Sequence, residues 1–229
     1  MLASQTVENY LKAIYLAQGA GPAEAASQSD RNLVPMGQLA SALGVVPGTA
    51  TTMVKTLADS GLVHYEPYMG VRLTPAGEKL AALVLRRHRL IEQFLVQVLG
   101  MNWSEVHDEA ERLEHAVSER LIDRIDEMLG RPAVDPHGDP IPGREGELAR
   151  QRAVDLLNCP LDTPLLVTRV TDQDAKFLRF IEERHLKPGE RISIVVRDPA
   201  SDSVTVRSAS GRETTIGTKA ASKVLVSPA

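Results

Sequence analysis

Cysteine and aromatic residues are scarce in this chain. Cys159 is the only cysteine among 229 residues, so no intrachain disulfide can form, which fits a reducing compartment. A catalytic thiol needs an activating neighbour, and the flanking sequence LLNCPLDTP has no histidine or lysine. Aromatic residues make up 3% of the chain and hydrophobic residues 43%, so we expect cores built from aliphatic side chains.

A strong positive charge is also missing, because the formal net charge is −4. This value argues against a surface that is covered with basic residues and binds nucleic acid all round. Residues 1–87 contain seven lysine and arginine residues and six acidic residues, whereas residues 88–229 contain 19 basic and 24 acidic residues. The N-terminal part is therefore the less anionic of the two. No stretch reaches the roughly 18 apolar residues of a membrane span, and no secretory signal opens the chain. We expect a soluble cytoplasmic protein with no membrane partner.

Residues 1–80 show the order helix, loop, helix, helix and hairpin. TVENYLKAIYLAQ is amphipathic, whereas GAGPAEAASQSDRN is small and polar and predicts a flexible loop. PMGQLASALGV and PGTATTMVKTLADSGLV predict two short helices that end near Gly44 and at Gly61. Two β-prone runs then surround Met69 and Gly70. This order is typical of a winged helix-turn-helix DNA-binding domain.

The second helix of this motif carries a polar face suited to DNA. Its apolar positions are Ala50, Met53, Val54 and Leu57. The polar positions, which we predict to face DNA, are Thr49, Thr51, Thr52, Lys55 and Thr56. Threonine hydroxyls can bind phosphates and threonine methyls can contact thymine, while lysine binds phosphate. The alternative is a plain helical hairpin with a threonine-rich exposed side, and the wing that follows favours DNA.

Two segments concentrate histidine and carboxylate side chains. HDEAERLEH, residues 107–115, lies in a predicted helix whose apolar stripe runs from Val106 to Val117. Four potential ligands share one face of that helix, namely His107, Glu111, Glu114 and His115. Upstream, RRHRLIEQFL places His88 and Glu92 one helical turn apart. Nitrogen and oxygen donors without a thiolate suit a labile divalent ion such as Mn²⁺ or Fe²⁺, and Zn²⁺ is also compatible. The alternative is a charged helix face with incidental histidines.

The chain divides into three segments, which predict a mainly α-helical fold with a β C-terminal domain. Residues 1–80 form the winged helix-turn-helix, and residues 81–150 form a helical metal-binding and dimerisation domain with a Pro/Gly-rich linker. Residues 151–229 predict a small SH3-like barrel of about five strands with one inserted helix. The middle helices have more apolar surface than one thin layer can bury, which predicts a homodimer. His137, in the linker, is interpreted as a turn residue rather than a ligand.

Five pieces of the sequence match a known family: ENYLKAIY, RLTPAGEKLA, RRHRLIEQFL, VHDEAERLEH and DPHGDPIPG. The chain resembles the diphtheria-toxin-repressor and manganese-transport-regulator family of metal-dependent transcriptional repressors, and its C-terminal segment resembles that family's SH3-like (FeoA-like) domain. The resemblance implies two metal sites where the N-terminal helix meets the dimerisation helices. It assigns to the first site His88, Glu92 and His107. It assigns to the second site Glu111, Glu114 and His115, completed by Asn9.

The resemblance also bears on the identity of the metal. Iron-type members carry Cys at the position of Glu111 and Met at that of Asn9, whereas manganese-type members carry Glu and Asp. The hard oxygen of Glu111 therefore favours Mn²⁺, while Asn9 fits neither pattern. The SH3-like domain of longer members can lend ligands to the first site, and the candidates here are Asp172 and Gln173. The loop at residues 19–32 has no clear counterpart in the family.

The function that this sequence predicts is Mn²⁺-dependent repression of metal-homeostasis genes, such as those for metal uptake. A homodimer would place its two recognition helices on a pseudo-palindromic DNA operator. An Fe²⁺-responsive repressor of the same family is one alternative. A dinuclear metal enzyme is another, but it typically needs a Glu-x-x-His motif on each of two helices, which the spacing Glu111-x-x-Glu114-His115 does not provide. A metal-storage protein would not need the winged helix.

Overall fold

The computed structural model describes residues 4–19, 33–149 and 153–229, so most of the predicted loop at residues 19–32 lies outside the described residues. The chain folds into two compact units. The first unit comprises Met1–Arg87 and Pro142–Leu148, and the second comprises His88–Ile141 and Ala149–Ala229. No helix in the described part of the chain is long and apolar enough to cross a bilayer.

Helices and a hairpin in the predicted order build the first unit. Its elements are α1 (Gln5–Gly19), α2 (Met36–Ala42), α3 (Pro47–Asp59), β1 (Val63–Glu66), β2 (Gly70–Leu73) and the beginning of α4 (Pro75–Gln97). Tyr10, Leu11 and Ile14 recur at helical spacing on α1 and are buried in this unit's core. Gly44 and Gly61 follow α2 and α3 with φ of 63° and 71°, a conformation that ends helices at glycine. These helix ends confirm the prediction.

The wing is a two-stranded antiparallel hairpin. Val63 lies opposite Leu73 and Glu66 opposite Gly70. A Cβ atom at Gly70 would lie 2.6 Å from the carbonyl oxygen of Val34, so this close approach of two backbone segments requires glycine. The hairpin is therefore held firmly against the segment that leads into α2.

Three helices form the region of the histidine and carboxylate clusters: α4, α5 (Val106–Leu113) and α6 (Glu119–Met128), of which α4 and α5 carry candidate metal ligands. In the second unit their apolar sides share one core, which includes Leu90, Ile91, Val106 and Ile122. The hydroxyl of Ser118 caps α6 by accepting a hydrogen bond from a backbone amide of its first turn. α4 begins at Pro75, so one helix runs through the predicted domain boundary after residue 80.

The C-terminal segment forms a six-stranded antiparallel sheet in the order β3-β8-β4-β5-β6-β7. Its elements are β3 (Val154–Asp155), β4 (Leu165–Val170), α7 (Ala175–Glu183), β5 (Arg191–Asp198), β6 (Ser203–Ser208), β7 (Glu213–Gly217), α8 (Thr218–Ala221) and β8 (Val224–Pro228). Inward-facing valine and isoleucine side chains fill its core, which confirms the aliphatic prediction. The SH3-like domain and α7 were predicted. β3, β7 and α8 were not, because β3 spans two residues and β7 is mostly polar.

Candidate metal centre

α4 places two potential ligands one helical turn apart. His88 and Glu92 are both buried, and His88 Nε2 lies 3.0 Å from Glu92 Oε1. The contact follows from the spacing, because side chains four residues apart share one face of a helix. Glu92 is fully buried, and a carboxylate removed from water needs compensating partners.

α5 and the turn after it supply a second set of candidate ligands, but this helix is shorter than predicted. It ends at Leu113, and Glu114 and His115 follow in a turn instead of continuing the helix to Val117. The next helix is capped at Ser118, so the chain must change direction over the residues between them. The expectation of one continuous helical face is therefore wrong. The turn nevertheless directs Glu114 inward, where it is fully buried.

The first group of donor atoms comprises His88, Glu92 and His107, all within 4.8 Å of one another. His107 Nδ1 lies 3.2 Å from both Glu92 Oε1 and His88 Nε2. Donor atoms held about 2.2 Å from one ion lie roughly 3–4.4 Å apart, so these separations are close to those of a metal shell. The structure thus brings together the three residues expected in the first site.

The second group comprises His88, Glu111 and Glu114. His88 Nδ1 lies 2.6 Å from Glu114 Oε2 and 3.8 Å from Glu111 Oε1. His115 adjoins them, with Nε2 3.2 Å from Glu114 Oε1. Three residues expected in the second site therefore lie together. Asn9 lies on α1 in the first unit, where its buried side-chain oxygen has no hydrogen-bond partner among the described residues, and its role as a ligand stays a prediction.

A third group, Glu92, Asp135 and His137, was not predicted from the sequence. His137 occupies a turn, as expected, but it is fully buried and its Nδ1 lies 3.8 Å from Glu92 Oε2. His137 Nε2 lies 2.9 Å from the carbonyl oxygen of Trp103 and must donate to it, which leaves the Nδ1 lone pair on the side of Glu92. Local spacing could not reveal this group, because the turn and α4 are far apart in the chain. The one available signal was the histidine in DPHGDPIPG.

Arginine side chains hold this turn in place. Arg89 Nη1 donates to the carbonyl oxygen of Pro140 at 2.5 Å. The Arg89 guanidinium also lies 3.6 Å from the carboxylates of Asp135 and Asp139. Asp139 pairs in addition with Arg169 on β4. These contacts fasten the turn to α4 on one side and to the C-terminal sheet on the other.

Asp172 and Gln173, the candidate ligands from the SH3-like domain, contact other groups. Asp172 pairs with Lys223, and Gln173 Nε2 donates to Asp139 Oδ2 at 2.9 Å. Burial alone would raise the pKa of Asp172, but the hydrogen bonds from Lys223 and the Asp174 amide, together with the charges of nearby lysines, outweigh burial and lower it. Asp172 belongs to none of the three metal-capable groups found in the described part of the chain, and the ligand role of both residues stays a prediction.

The protonation of the third group follows from its surroundings. Burial alone would raise the pKa of Glu92, but hydrogen bonds with His107 and His88 outweigh burial and hold that pKa well below its usual range. Burial raises the pKa of Asp135 well above its usual range, and the charges of Glu92 and Asp139 add to the rise. Burial also lowers the pKa of His137, which favours the neutral ring that can act as a ligand.

Three buried atoms of the third group have no hydrogen-bond partner among the described residues: Glu92 Oε2, Asp135 Oδ2 and His137 Nδ1. Buried polar atoms in folded proteins are nearly always paired, since an unpaired one costs free energy. In their ionised forms, two carboxylate oxygens and an imidazole lone pair are all electron donors, so they cannot satisfy one another. The residues present therefore fit a divalent cation.

α3 presents its predicted polar side to solvent. Lys55 is exposed, while Val54 and Leu57 are buried. The threonine side chains are exposed, except that Thr51 is half-buried; they are Thr49, Thr51, Thr52 and Thr56. The hydroxyls of Thr51 and Thr52 donate to backbone carbonyls one turn back, at 2.8 Å and 3.0 Å. Their oxygen lone pairs and methyl groups remain for an external partner.

Three family models match the chain in succession. Residues 2–71 match the iron dependent repressor, N-terminal DNA binding domain. Residues 74–143 match the iron dependent repressor, metal binding and dimerisation domain. Residues 154–228 match the FeoA domain.

Named relatives and solved structures extend this similarity. The iron-dependent repressor IdeR of Mycobacterium leprae is 28% identical over 202 residues, which cover 82% of this chain and 83% of that protein. The regulator MntR of Lysinibacillus sphaericus is 37% identical over 101 residues, 44% of this chain and 72% of that protein. A solved manganese-dependent transcriptional repressor in complex with manganese has a TM-score of 0.84 and 38% identity, over 97% of this chain and all of the other. The chain spans 60% and 56% of the length of two corynebacterial diphtheria toxin repressors.

Proposed function

The chain belongs to the diphtheria-toxin-repressor and manganese-transport-regulator family of metal-dependent transcriptional repressors, and on that premise we propose that Mn²⁺ is the ion that activates it. The family consists of DNA-binding regulators rather than enzymes. The proposed role is repression of genes for metal homeostasis, such as metal uptake. The proposed location is the cytoplasm, because a protein that binds an operator must reach the chromosome.

The observation that carries this proposal is the convergence of His88, Glu92 and His107 beside three buried donor atoms without hydrogen-bond partners. When they are ionised, these buried donors cannot pair with one another, and a cation would satisfy them. The same chain displays an exposed threonine- and lysine-bearing helix in the domain matched to DNA binding. The two features together support a DNA-binding protein that depends on a metal.

His88 links the two predicted metal sites. A neutral imidazole has one lone pair, so His88 can act as a ligand through only one nitrogen. We assign that role to Nε2, which faces Glu92 and His107. Nδ1 then carries the proton and donates it to Glu114 Oε2 at 2.6 Å, which fixes the orientation of the ring. When bound, an ion supplies the positive charge that balances the carboxylates gathered there.

The donor set supports Mn²⁺ over softer ions. Carboxylate oxygens combine with imidazole nitrogens in all three groups, and hard oxygen donors suit Mn²⁺. The single thiol, that of Cys159, is buried in the core of the C-terminal sheet. Relatives have been solved with manganese and, for ScaR, with cadmium and with zinc. An Fe²⁺-responsive repressor is the second candidate, which the similarity to the iron-dependent IdeR favours.

DNA binding by a homodimer completes the proposal. Each α3 would enter a major groove of a pseudo-palindromic operator. Support for the dimer comes from exposed apolar side chains on α5 and α6, at Leu113, Leu121 and Met128, in the segment matched to dimerisation. An isologous interface would remove these side chains from water. The bound metal is proposed to stabilise the DNA-competent dimer and so to strengthen DNA binding. By reciprocity, DNA binding then tightens metal binding.

The test combines metal binding with DNA binding in the full-length protein. Operator fragments are captured from random duplex DNA in Mn²⁺, and their affinity is compared in wild type, Glu92→Gln and Glu109→Gln. Glu92 lies in two donor groups, whereas Glu109 pairs with Arg112 on the exposed side of α5. We expect Glu92→Gln to lose Mn²⁺-dependent binding and Glu109→Gln to retain it. Specific capture that is equally tight in excess chelator would contradict the proposal.

A further inference from the structure

Arg169 lies on the outer side of the C-terminal sheet because β4 contains a β-bulge. Side chains on a regular strand alternate between its two faces, so the buried Leu165 and Val167 would place Arg169 in the core as well. The pairing of β4 with β8 instead shifts register between Val167 and Arg169. A bulge of this kind re-aims the side chains that follow it. Val170 therefore enters the core, and the Arg169 side chain, 34% exposed, turns outward.

The outward side chain of Arg169 meets the turn that carries His137. It pairs with Asp139 Oδ1, and Asp139 Oδ2 accepts a hydrogen bond from Gln173 Nε2 at 2.9 Å. The Asp139 side chain is only 6% exposed, so its charge needs these partners. The backbone adds another contact, because the amide of Val170 donates to the carbonyl oxygen of His137 at 2.9 Å. Side chain and main chain of β4 thus both hold the turn.

Arg89 on α4 reaches the turn from the other side. Its Nη1 donates to the carbonyl oxygen of Pro140 at 2.5 Å, but its Nη2 lies 3.6 Å from Asp139 Oδ1, which is too long for a hydrogen bond. Within the described part of the chain, the direct polar contacts of the Asp139 side chain therefore come from Arg169 and Gln173.

The position of this turn decides where the His137 ring points. His137 Nε2 donates to the carbonyl oxygen of Trp103 at 2.9 Å, and Nδ1 lies 3.8 Å from Glu92 Oε2. A small displacement of the turn would break the first contact and move Nδ1 away from Glu92. Residues that orient a metal ligand from outside the shell commonly change metal affinity on the order of 10–100-fold.

We propose that Arg169 is a positioning residue for metal binding, which holds His137 towards Glu92 through Asp139 and so makes the C-terminal domain part of the metal sensor. Gln173 supports the same carboxylate. Arg169 acts through other residues, because a guanidinium offers no lone pair to a cation. The inference rests on the proposed function, since it concerns the affinity of the same protein for Mn²⁺.

Trp103 provides a direct readout of this region. It is the only tryptophan in the chain, and its ring centroid lies 5.5 Å from that of His137. Indole fluorescence responds to the charge and position of a neighbouring imidazole. Binding of Mn²⁺ at His137 should therefore change the emission of the full-length protein, and His137→Gln should remove most of that change.

The experiment titrates full-length variants with Mn²⁺ and records Trp103 emission. Arg169→Met should raise the half-saturating Mn²⁺ concentration about tenfold, with the amplitude at saturation unchanged. Asp139→Asn should have a similar effect, and the double variant should exceed the larger single effect by no more than about twofold, because both residues act through one contact. The matched control is Arg207→Met, since Arg207 pairs with Glu213 at 2.9 Å on another part of the same sheet. It should leave the curve in place.

A milder variant keeps the proposal testable if the methionine variant does not fold. Arg169→Lys keeps the charge and loses the forked geometry, so it should raise the half-saturating concentration by about threefold.

Melting temperatures separate positioning from a purely structural role. Bound Mn²⁺ stabilises the folded protein, so a weaker site gives a smaller rise in melting temperature between chelator and a fixed excess of Mn²⁺. We expect that smaller rise in Arg169→Met, and the wild-type rise in Arg207→Met. A melting temperature that falls equally in both conditions would show that Arg169 only stabilises the fold.

Other results would also overturn the proposal. An unchanged Mn²⁺ curve in folded Arg169→Met would show that Arg169 does not position the ligand. A full emission change in His137→Gln, or wild-type protein that binds Mn²⁺ in equilibrium dialysis without any change in emission, would place the ion away from His137. Wild-type protein that binds no Mn²⁺ in dialysis would overturn the proposed function as well.

Discussion

Replacement of Glu111 by cysteine should change which ion activates the protein while leaving its fold intact. The Glu111 carboxylate lies 3.8 Å from His88 Nδ1 and 3.9 Å from His107 Nε2, and it belongs to the same donor group as Glu114, so it is close enough to share an ion with Glu114. Its side chain is 37% exposed, and a substitution at such a position should change the free energy of unfolding of the apoprotein by about 0.5 kcal/mol or less. Effects on metal activation can therefore be read without interference from misfolding.

The expected magnitude follows from the loss of one hard donor. Cysteine offers a soft sulfur in place of a carboxylate oxygen, which suits Mn²⁺ poorly and Fe²⁺ or Co²⁺ better. Changes around a metal site commonly reduce affinity on the order of 10–100-fold, or about 1.4–2.7 kcal/mol. We expect the Mn²⁺ concentration for half-maximal operator binding to rise by that factor. The corresponding Fe²⁺ and Co²⁺ values should change less, and the affinity of the fully loaded protein should not change.

The assay is fluorescence anisotropy of a labelled operator against buffered free metal, under anaerobic conditions, for each of the three ions. Glu109→Cys is the matched control, because Glu109 lies on the same helix but pairs with Arg112 at 2.7 Å. It should leave all three curves in place. An unchanged Mn²⁺ curve for Glu111→Cys, or an equal shift for all three ions, would refute the assignment of Glu111 as a hard ligand.

Three further predictions follow from single contacts. Lys55→Ala should weaken binding to every DNA sequence and lower the salt slope by about one, whereas Lys176→Ala on α7 should not; equal slopes would remove Lys55 from the DNA surface. Gly138→Ala should destabilise the protein to denaturant by about 3 kcal/mol or more and impair Mn²⁺ activation, because φ is 86° and the new Cβ would collide with a β4 carbonyl. Gly211→Ala, with φ of 85° but open space, should cost only about 1 kcal/mol; equal costs would contradict this. A hydrogen bond from Lys187 lowers the pKa of Glu182. The stabilisation of the folded protein by this ion pair is therefore present at neutral pH and lost as pH falls through that lowered pKa. Glu182→Gln should thus cost a few tenths of a kcal/mol at pH 7, with no difference from wild type at strongly acidic pH, and a gap that widens on acidification would refute the sign.

Periodicity and turn chemistry in the sequence were sufficient to predict the DNA-binding domain. The apolar spacing of α1 and α3 and the glycines that end the short helices lie within single segments, so they are visible locally. The same is true of His88 and Glu92, since one helical turn separates them. Features that depend on a few neighbouring residues could thus be predicted from the sequence.

The end of α5 and the third donor group could not be predicted in this way. HDEAERLEH keeps helical spacing through its last residue, yet the helix ends at Leu113 because the chain must turn before Ser118 caps the next helix. His137 occupies a turn, as its Pro/Gly-rich surroundings indicate. Its burial against Glu92 depends on Arg89 and on the C-terminal sheet, which hold that turn in place from distant parts of the chain. Packing between remote segments decides such a site.

The central claim is that Mn²⁺ controls specific DNA binding through these buried donors. The most direct measurement is the affinity of the full-length protein for its selected operator, first in excess chelator, then after addition of free Mn²⁺, and then after renewed chelation. We predict weak, non-specific binding in chelator, tight binding in Mn²⁺ and reversal on renewed chelation. Specific binding that is equally tight in all three conditions, from protein shown to be metal-free in chelator, would contradict the account.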